Sequence, residues 1–586
     1  MTPHRSTRRR SSTLFAAALV SIGLVAGACS KKDDDSTSKP DTTEASTDTT
    51  AASGDTESPA TTEAGSTETT AEAAPETTAP GKEPVYGGNL IVSGEAEVAN
   101  PWTPGAMQCD SYCQQRARSF YDPLVTLDAD LVPKGFLLEG WEANADYTEF
   151  TFTVRQGITF HDGTPLDAAA VVFSFERQRD PQHPYHRGKF AYWENAFKNI
   201  ERVEAIAPLS VRITISDRFA PFLASMATFP VSIVSPTAVA RFGDEFGDHP
   251  VGTGAYRLER WTRGERIVVV RNPDYWGPRP AIDRVVFEVI PDARQRLIDL
   301  ESGAVDLALA ILPGESQFLD LHPGLTLHRP PANNVTYLAM NCARPPFDQP
   351  AVRQALAQAI NKQAIVRLAY QGLATAADGP LPPSQWGYRA GLGAVRFDPE
   401  AARARLAQLD AEDVIDLGRT YKLYAPTTPR PYLPNPEQVA RIIRANLEEV
   451  GLHVELVLQP FAATRQDTQA GRHDLALAGW VGDNGDPDNY LYLMFDKDNT
   501  VPGIARNIAF YRDDAVSTLL RRAQQVEDRG EREQLYAEAQ ARIAAAAPWV
   551  PLAHSQVTVA AREDLTGVVV DPKGHVVYAG LKRVKR

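Results

Sequence analysis

In the stretch "NPEQVARIIRANLEEVG" apolar side chains fall at Val439, Ile442, Ile443 and Leu447, a spacing of three and four that gathers them on one face of a helix. The ends agree, with Asn435 as cap, Pro436 as first helical residue and Gly451 to close. "YKLYA" before it and "HVELVL" after it read as strands, so the segment predicts a βαβ unit. The same alternation runs on from about residue 332, where "FDPEAARARLAQL" opens another helix with Asp398 as cap and Pro399 in the first turn. An α/β body follows from it.

The earlier part of the chain has a different rhythm. From about Pro84, "GGNLIVSG" reads as a strand entering a core, and the segment from "FYDPLVTL" to "VVFSFERQ" alternates short strands with Gly and Asp turns before a helix capped by Asp167. "VGTGAYRLERWTRGERIVVVRNPDYWG" reads as a hairpin around "TRGE", and its glycines lack the spacing of a phosphate loop. In "HDGT" the His and Asp sit together in a turn, with no nucleophile or third ligand beside them.

The first residues belong to neither pattern. "MTPHRSTRRR" is basic and "LFAAALVSIGLVAGA" is apolar but shorter than the ~20 residues a membrane span needs, so residues 1–28 read as a signal peptide. The junction "LVAGAC" resembles a bacterial lipoprotein lipobox, which implies that Cys29 is lipidated. Ala26 departs from that pattern where Leu, Val or Ile is usual, and leaves ordinary secretion as the alternative. Residues 29–83 are acidic and rich in Thr, Ser and Ala, too polar to offset their ordering entropy, and read as a disordered tether.

The 586 residues, 43% of them hydrophobic, are enough for several lobes, and a net charge of −14 argues against a nucleic-acid partner. In an exported chain Cys109 and Cys113 of "MQCDSYC" are expected as a disulfide, with a metal pair as the alternative, and Cys342 as a small buried hydrophobe.

Candidate chemistry concentrates in "GWVGDNGDPDNY", where Asp483, Asp486 and Asp488 follow the apolar strand "DLALAGW". In open α/β sheets ligands sit beyond the carboxyl ends of the strands. The loop after "YKLYA" carries Arg430 and Tyr432, and the loop after "DLALAGW" carries Asp483, so a cation and an anion reach one edge of one lobe, as a small zwitterion requires. Asp486 and Asp488 read as turn and cap residues. A calcium loop would need oxygen ligands where Gly485 and Pro487 stand. Trp480 and Trp386 are candidates for aromatic cleft walls, with core packing as the alternative. No hydrolase elbow or zinc-protease motif occurs, which leaves a secreted hydrolase as a remote alternative.

"EFTFTVRQGITFHDGTPLDAAAVVFSFER", the hairpin segment, "NVTYLAMNCARPPFDQPAVRQALAQAINKQAIV" and "FDPEAARARLAQ" stand in the order and spacing of the family 5 extracellular solute-binding proteins of ABC transporters, which the chain resembles from about Pro84 onward. Within that family "LPPSQWGY", "RPYLPN", "GWVGDNGDPDN" and "AHSQVTVAAREDLTGVVVDPKG" are similar to the dipeptide-binding proteins. The resemblance implies an α/β, two-lobed periplasmic-binding-protein fold of type II, of the large peptide-binding class. Lobe I would take residues 84–118, 248–331 and 551–586, with an inserted subdomain at 119–247, and lobe II 332–550. It implies that Arg430 receives a peptide carboxylate and Asp483 a peptide amine, and that a membrane permease is the partner. A monomer without cofactor, metal or enzymatic activity is expected, held at the outer face of a bacterial membrane. The loop "NPWTPGAMQCDSYCQQRARS" departs from the dipeptide-binding pattern, so haem, a nickel complex or another small solute stays open as cargo.

Overall fold

The computed structural model describes residues 83–95, 103–104, 111–187, 190, 193, 197–392, 395–571 and 573–585. The expectations for the signal peptide, Cys29, the tether up to residue 82 and Cys109 lie outside these residues. Cys113 is buried and disulfide-bonded, and its partner too lies outside them. Cys342 is a free thiol, half-buried.

Two large sheets carry the molecule. The first has seven strands, in the spatial order Leu325–His328, Val559–Arg562, Leu307–Leu309, Asn89–Gly94, Arg284–Val289, Arg266–Arg271, Tyr256–Thr262. Asn89–Gly94, from "NLIVSG", is parallel to both neighbours and buries Leu90 and Val92. The hairpin over 256–271 turns at Gly264, whose φ of +76° suits a residue without Cβ.

The intervening chain forms a separate antiparallel sheet of four strands, Leu138–Ala143, Glu149–Val154, Ser210–Ile215 and Ile200–Ala207 in spatial order. Alternation in "EFTFTV" sends Phe150, Phe152 and Val154 into one core with Val171 and Phe175 of the helix Ala168–Arg179. The Asp167 carboxylate caps that helix, accepting from the Ala170 amide at 2.9 Å.

The second large sheet has the spatial order Ala374–Ala376, Trp549–Ser555, Asn334–Met340, Leu475–Val481, Thr420–Pro426, His453–Gln459. Thr420–Pro426 and His453–Gln459 are parallel and joined by the helix Pro436–Glu449, the βαβ unit read from the sequence. Val439, Ile443 and Leu447 are buried, and Gly451 follows the helix at a φ of +100°. Asn435 stands at the cap position, but its side chain accepts nothing there and donates instead to the Ala369 carbonyl at 2.8 Å. Trp549–Ser555 is a strand of this second sheet, so the chain rejoins the first sheet at Val559 and not at residue 551.

The chain passes between the large sheets twice, after His328 and after Ser555. The two crossings run side by side: Pro331 and Gln556 form an antiparallel bridge, and the Val557 amide donates to the Pro330 carbonyl at 3.3 Å.

Candidate functional site

Arg430 leaves its strand on a tight turn. The Leu433 amide donates to the Arg430 carbonyl at 2.8 Å and the Arg430 amide to the Leu433 carbonyl at 3.0 Å, with Pro431 in the turn position that its fixed φ favours. Three hydroxyls hold the carbonyls of this turn: Ser555 donates to Pro431 at 2.7 Å, Tyr370 to Tyr432 at 2.9 Å, and Thr336 also to Tyr432. The Arg430 guanidinium lies over the Phe461 ring, 4.3 Å from its centroid.

Tyr432, expected among the ligand contacts, is only 7% exposed. Its ring rests on the backbone of Gly479, where a Cβ would come within 2.3 Å of the ring, and its side chain is hydrogen-bonded with Arg430. It braces the arginine from the core.

The strand Leu475–Val481 is parallel to Thr420–Pro426, so the loop carrying Asp483 leaves the same edge as the loop carrying Arg430. Side-chain oxygens fold this loop. Asn489 Oδ1 accepts from the Asp483 amide and from Trp480 Nε1, both at 2.9 Å. Asn484 Oδ1 accepts from the Asp486 amide at 3.1 Å, and Asp486 Oδ1 from the Asp488 amide at 3.0 Å. Gln385 and Trp386 donate to the Gly485 carbonyl at 2.7 and 3.1 Å. Both tryptophans are half-buried and pack on the adjoining core, which makes them supports of the loop.

The three aspartates therefore differ in kind. Asp486 is paired with Arg532 at 2.8 Å, both side chains being buried. Asp488 opens the helix Asp488–Phe495, and burial together with the charge of Asp486 pushes its carboxyl up to about 7. Asp483 is in no ion pair among the described residues. Burial raises its pKa, while Lys573, Arg506 and His575 oppose that rise electrostatically. Among the described residues no three His, Cys, Asp or Glu side chains are placed to hold a metal ion.

The Asp483 loop also reaches the first half of the molecule. Asn484 Nδ2 donates to Ser225 Oγ at 3.3 Å, and a Cβ on Gly485 would stand 3.0 Å from both Leu127 Cδ1 and Leu131 Cβ. Beside the crossings lies a cleft of about 760 Å³, counting space open to solvent. Arg430 and Pro434 line it from the second lobe, and Gln115, Leu309, Ile311 and Lys573 from the first. Asp483, Tyr432, Trp480 and Trp386 are not part of this lining. The sequence signal at Lys573 is slight: it stands with Asp571 and His575 in "DPKGH", a polar turn between the apolar runs "VVV" and "VV".

Two α/β lobes joined by paired crossings, with a cleft beside the joint, define a two-lobed solute-binding fold of type II. The chain belongs to the bacterial extracellular solute-binding proteins, family 5, whose model matches residues 132–501. It is similar to the dipeptide-binding protein of Escherichia coli, 32% identical over 454 residues that cover 75% of this chain and 84% of the relative. It is also similar to heme-binding protein A of Haemophilus influenzae, 33% identical over 464 residues, covering 76% of this chain and 83% of that one. Among solved structures, the periplasmic binding protein DppA of Helicobacter pylori in complex with the peptide STSA superposes with a TM-score of 0.76 at 29% identity, covering 86% of this chain and 99% of that one. The family consists of substrate-binding proteins of ABC importers, not enzymes, and works outside the cytoplasm.

Proposed function

We propose that the protein captures dipeptides or short peptides between its lobes and delivers them to a membrane permease. The observation that carries this reading is the delivery of Arg430 and Asp483 to one sheet edge by two parallel strands. A peptide with free termini presents a carboxylate to the guanidinium fork and an ammonium to the carboxylate. Each charge-assisted bond contributes about 1.5–3 kcal/mol net once its partners are withdrawn from water. These two groups read the termini and place no demand of their own on the side chains. The protein acts as a monomer, held at the membrane by lipid on Cys29.

A second reading keeps the transport role and changes the cargo to haem or another small solute. It is favoured by the likeness to heme-binding protein A. Calorimetry with free and C-terminally amidated forms of the same dipeptides separates the two. Binding of the free forms with at least a tenfold loss on amidation supports the peptide reading, and equal binding of the two forms, or no binding, overturns it.

A further inference from the structure

Lys573 is the charged group that the proposed peptide contacts leave unused. The residue is 7% exposed, it lines the cleft with Arg430, and among the described residues its ammonium donates one hydrogen bond, to the Ala227 carbonyl at 3.1 Å. An ammonium carries three donors. Among the described residues no carboxylate comes within ion-pair distance of it. The acid nearest in sequence, Asp571, is committed to Arg118 at 2.7 Å and lies 3.6 Å from His575. Glu95, the acid in the cleft lining, faces Arg296 at 3.8 Å.

The same short stretch of the first lobe that receives Lys573 also receives the Asp483 loop. Asn484 bonds Ser225, and Lys573 bonds Ala227 two residues on. Lys573 thus stands within electrostatic reach of Asp483 while lining the cleft with Arg430. Burial and the Arg118 guanidinium pull the lysine down to about 8, as expected of a cation short of counter-charge.

The buried Lys573 ammonium then limits the ligand. On the peptide reading the two peptide termini occupy Arg430 and Asp483, so neither group compensates Lys573, and Arg506 adds to the positive field at Asp483. A zwitterionic peptide brings no carboxylate beyond its terminus and leaves the Lys573 ammonium short of counter-charge, which an enclosed site tolerates poorly. A peptide with one further carboxylate supplies it. We propose that Lys573 receives a second ligand carboxylate, so that the preferred cargo is a short peptide with an acidic side chain. This rests on the peptide reading above.

The test measures binding of the full chain, by calorimetry, to Glu-Ala, Ala-Glu, Gln-Ala and Ala-Gln. Each acid and its amide share shape and differ in one charge. At least one acidic peptide is expected to bind tenfold or more tighter than its amide. In Lys573→Met that ratio falls to near one, and in Lys573→Arg it persists. Equal binding of acids and amides by the parent overturns the inference and leaves the peptide reading standing, as does an acid preference that survives in Lys573→Met. Failure of all four peptides to bind overturns both.

Discussion

Arg532 and Asp486 form a buried ion pair at 2.8 Å, and the same guanidinium nitrogen donates to the Tyr536 hydroxyl at 2.9 Å while the Trp386 ring lies 4.9 Å beneath the guanidinium carbon. The pair ties the Asp483 loop to the helix Arg529–Ala546. Removing one partner strands a charge in the interior, and such losses run at about 3–5 kcal/mol. Arg532→Met is therefore expected to destabilise the protein by that order in chemical denaturation, and the double change with Asp486→Asn to recover part of the loss.

Asp488 gives this region a pH dependence of definite sign. Its carboxyl titrates at about 7 in the folded chain and at the ordinary carboxylate value when unfolded. Between those values the folded state holds more protons than the unfolded one, so this residue's contribution is full at low pH and is lost as pH rises toward 7. Asp488→Asn is expected to remove that slope. Denaturation of parent and variant at pH 4, 5.5, 7 and 8 would show the stability difference shifting toward the variant up to about 7 and staying level above.

Asp483→Asn separates binding from folding. The carboxyl is disfavoured by burial, so neutralising it costs no stability, yet it leaves a bound peptide ammonium without its partner. The expected result is an unchanged or higher melting temperature together with a loss of peptide affinity of roughly 2–5 kcal/mol. Calorimetry and thermal unfolding of the same sample report both, and unaltered affinity would remove Asp483 from the site.

Gly485 has a φ of +71°, and a Cβ there would already stand 3.0 Å from Leu127 Cδ1 and Leu131 Cβ, so the branched methyls of a valine would press on both. Gly485→Val adds a left-handed backbone cost of roughly 1–2 kcal/mol to a direct clash between the Asp483 loop and the first lobe. A lower melting temperature and weaker binding of every ligand are expected, measured by thermal shift with and without peptide.

Cys29→Ala is expected to release the protein from the membrane fraction into the medium when it is expressed in a lipoprotein-processing bacterium. Immunoblots of the two fractions decide it, and continued membrane attachment would defeat the lipid-anchor reading.

Local signals were enough to read the elements, because caps, turn glycines and apolar spacing act within a few residues. Asp167, Gly264 and the stripe Val439, Ile443, Leu447 all do in the structure what their spacing implies. Asn435 marks where a helix starts, but a carbonyl of another segment, Ala369, takes up its amide. The placement of Arg430 and Asp483 at one edge was legible too, since parallel strands fix where their loops emerge. Tyr432 was not, because only the fold brings Gly479 beneath its ring. Lys573 was hidden for the same reason: Ala227, which it bonds, Asp483, whose charge it opposes, and Arg430, with which it lines the cleft, come from three distant stretches of chain.

The paired crossings at Pro331 and Gln556 bear on how affinities compare. Main-chain contacts couple the two passages, so a change in one is passed to the other, and any balance of open and closed forms that the proposed capture requires would be set at this joint. Apparent affinity equals intrinsic affinity scaled by the share of molecules able to bind. A substitution in either passage that shifts this share, such as Gln556→Pro, would rescale the dissociation constants of all ligands by one factor, leaving their ranking intact.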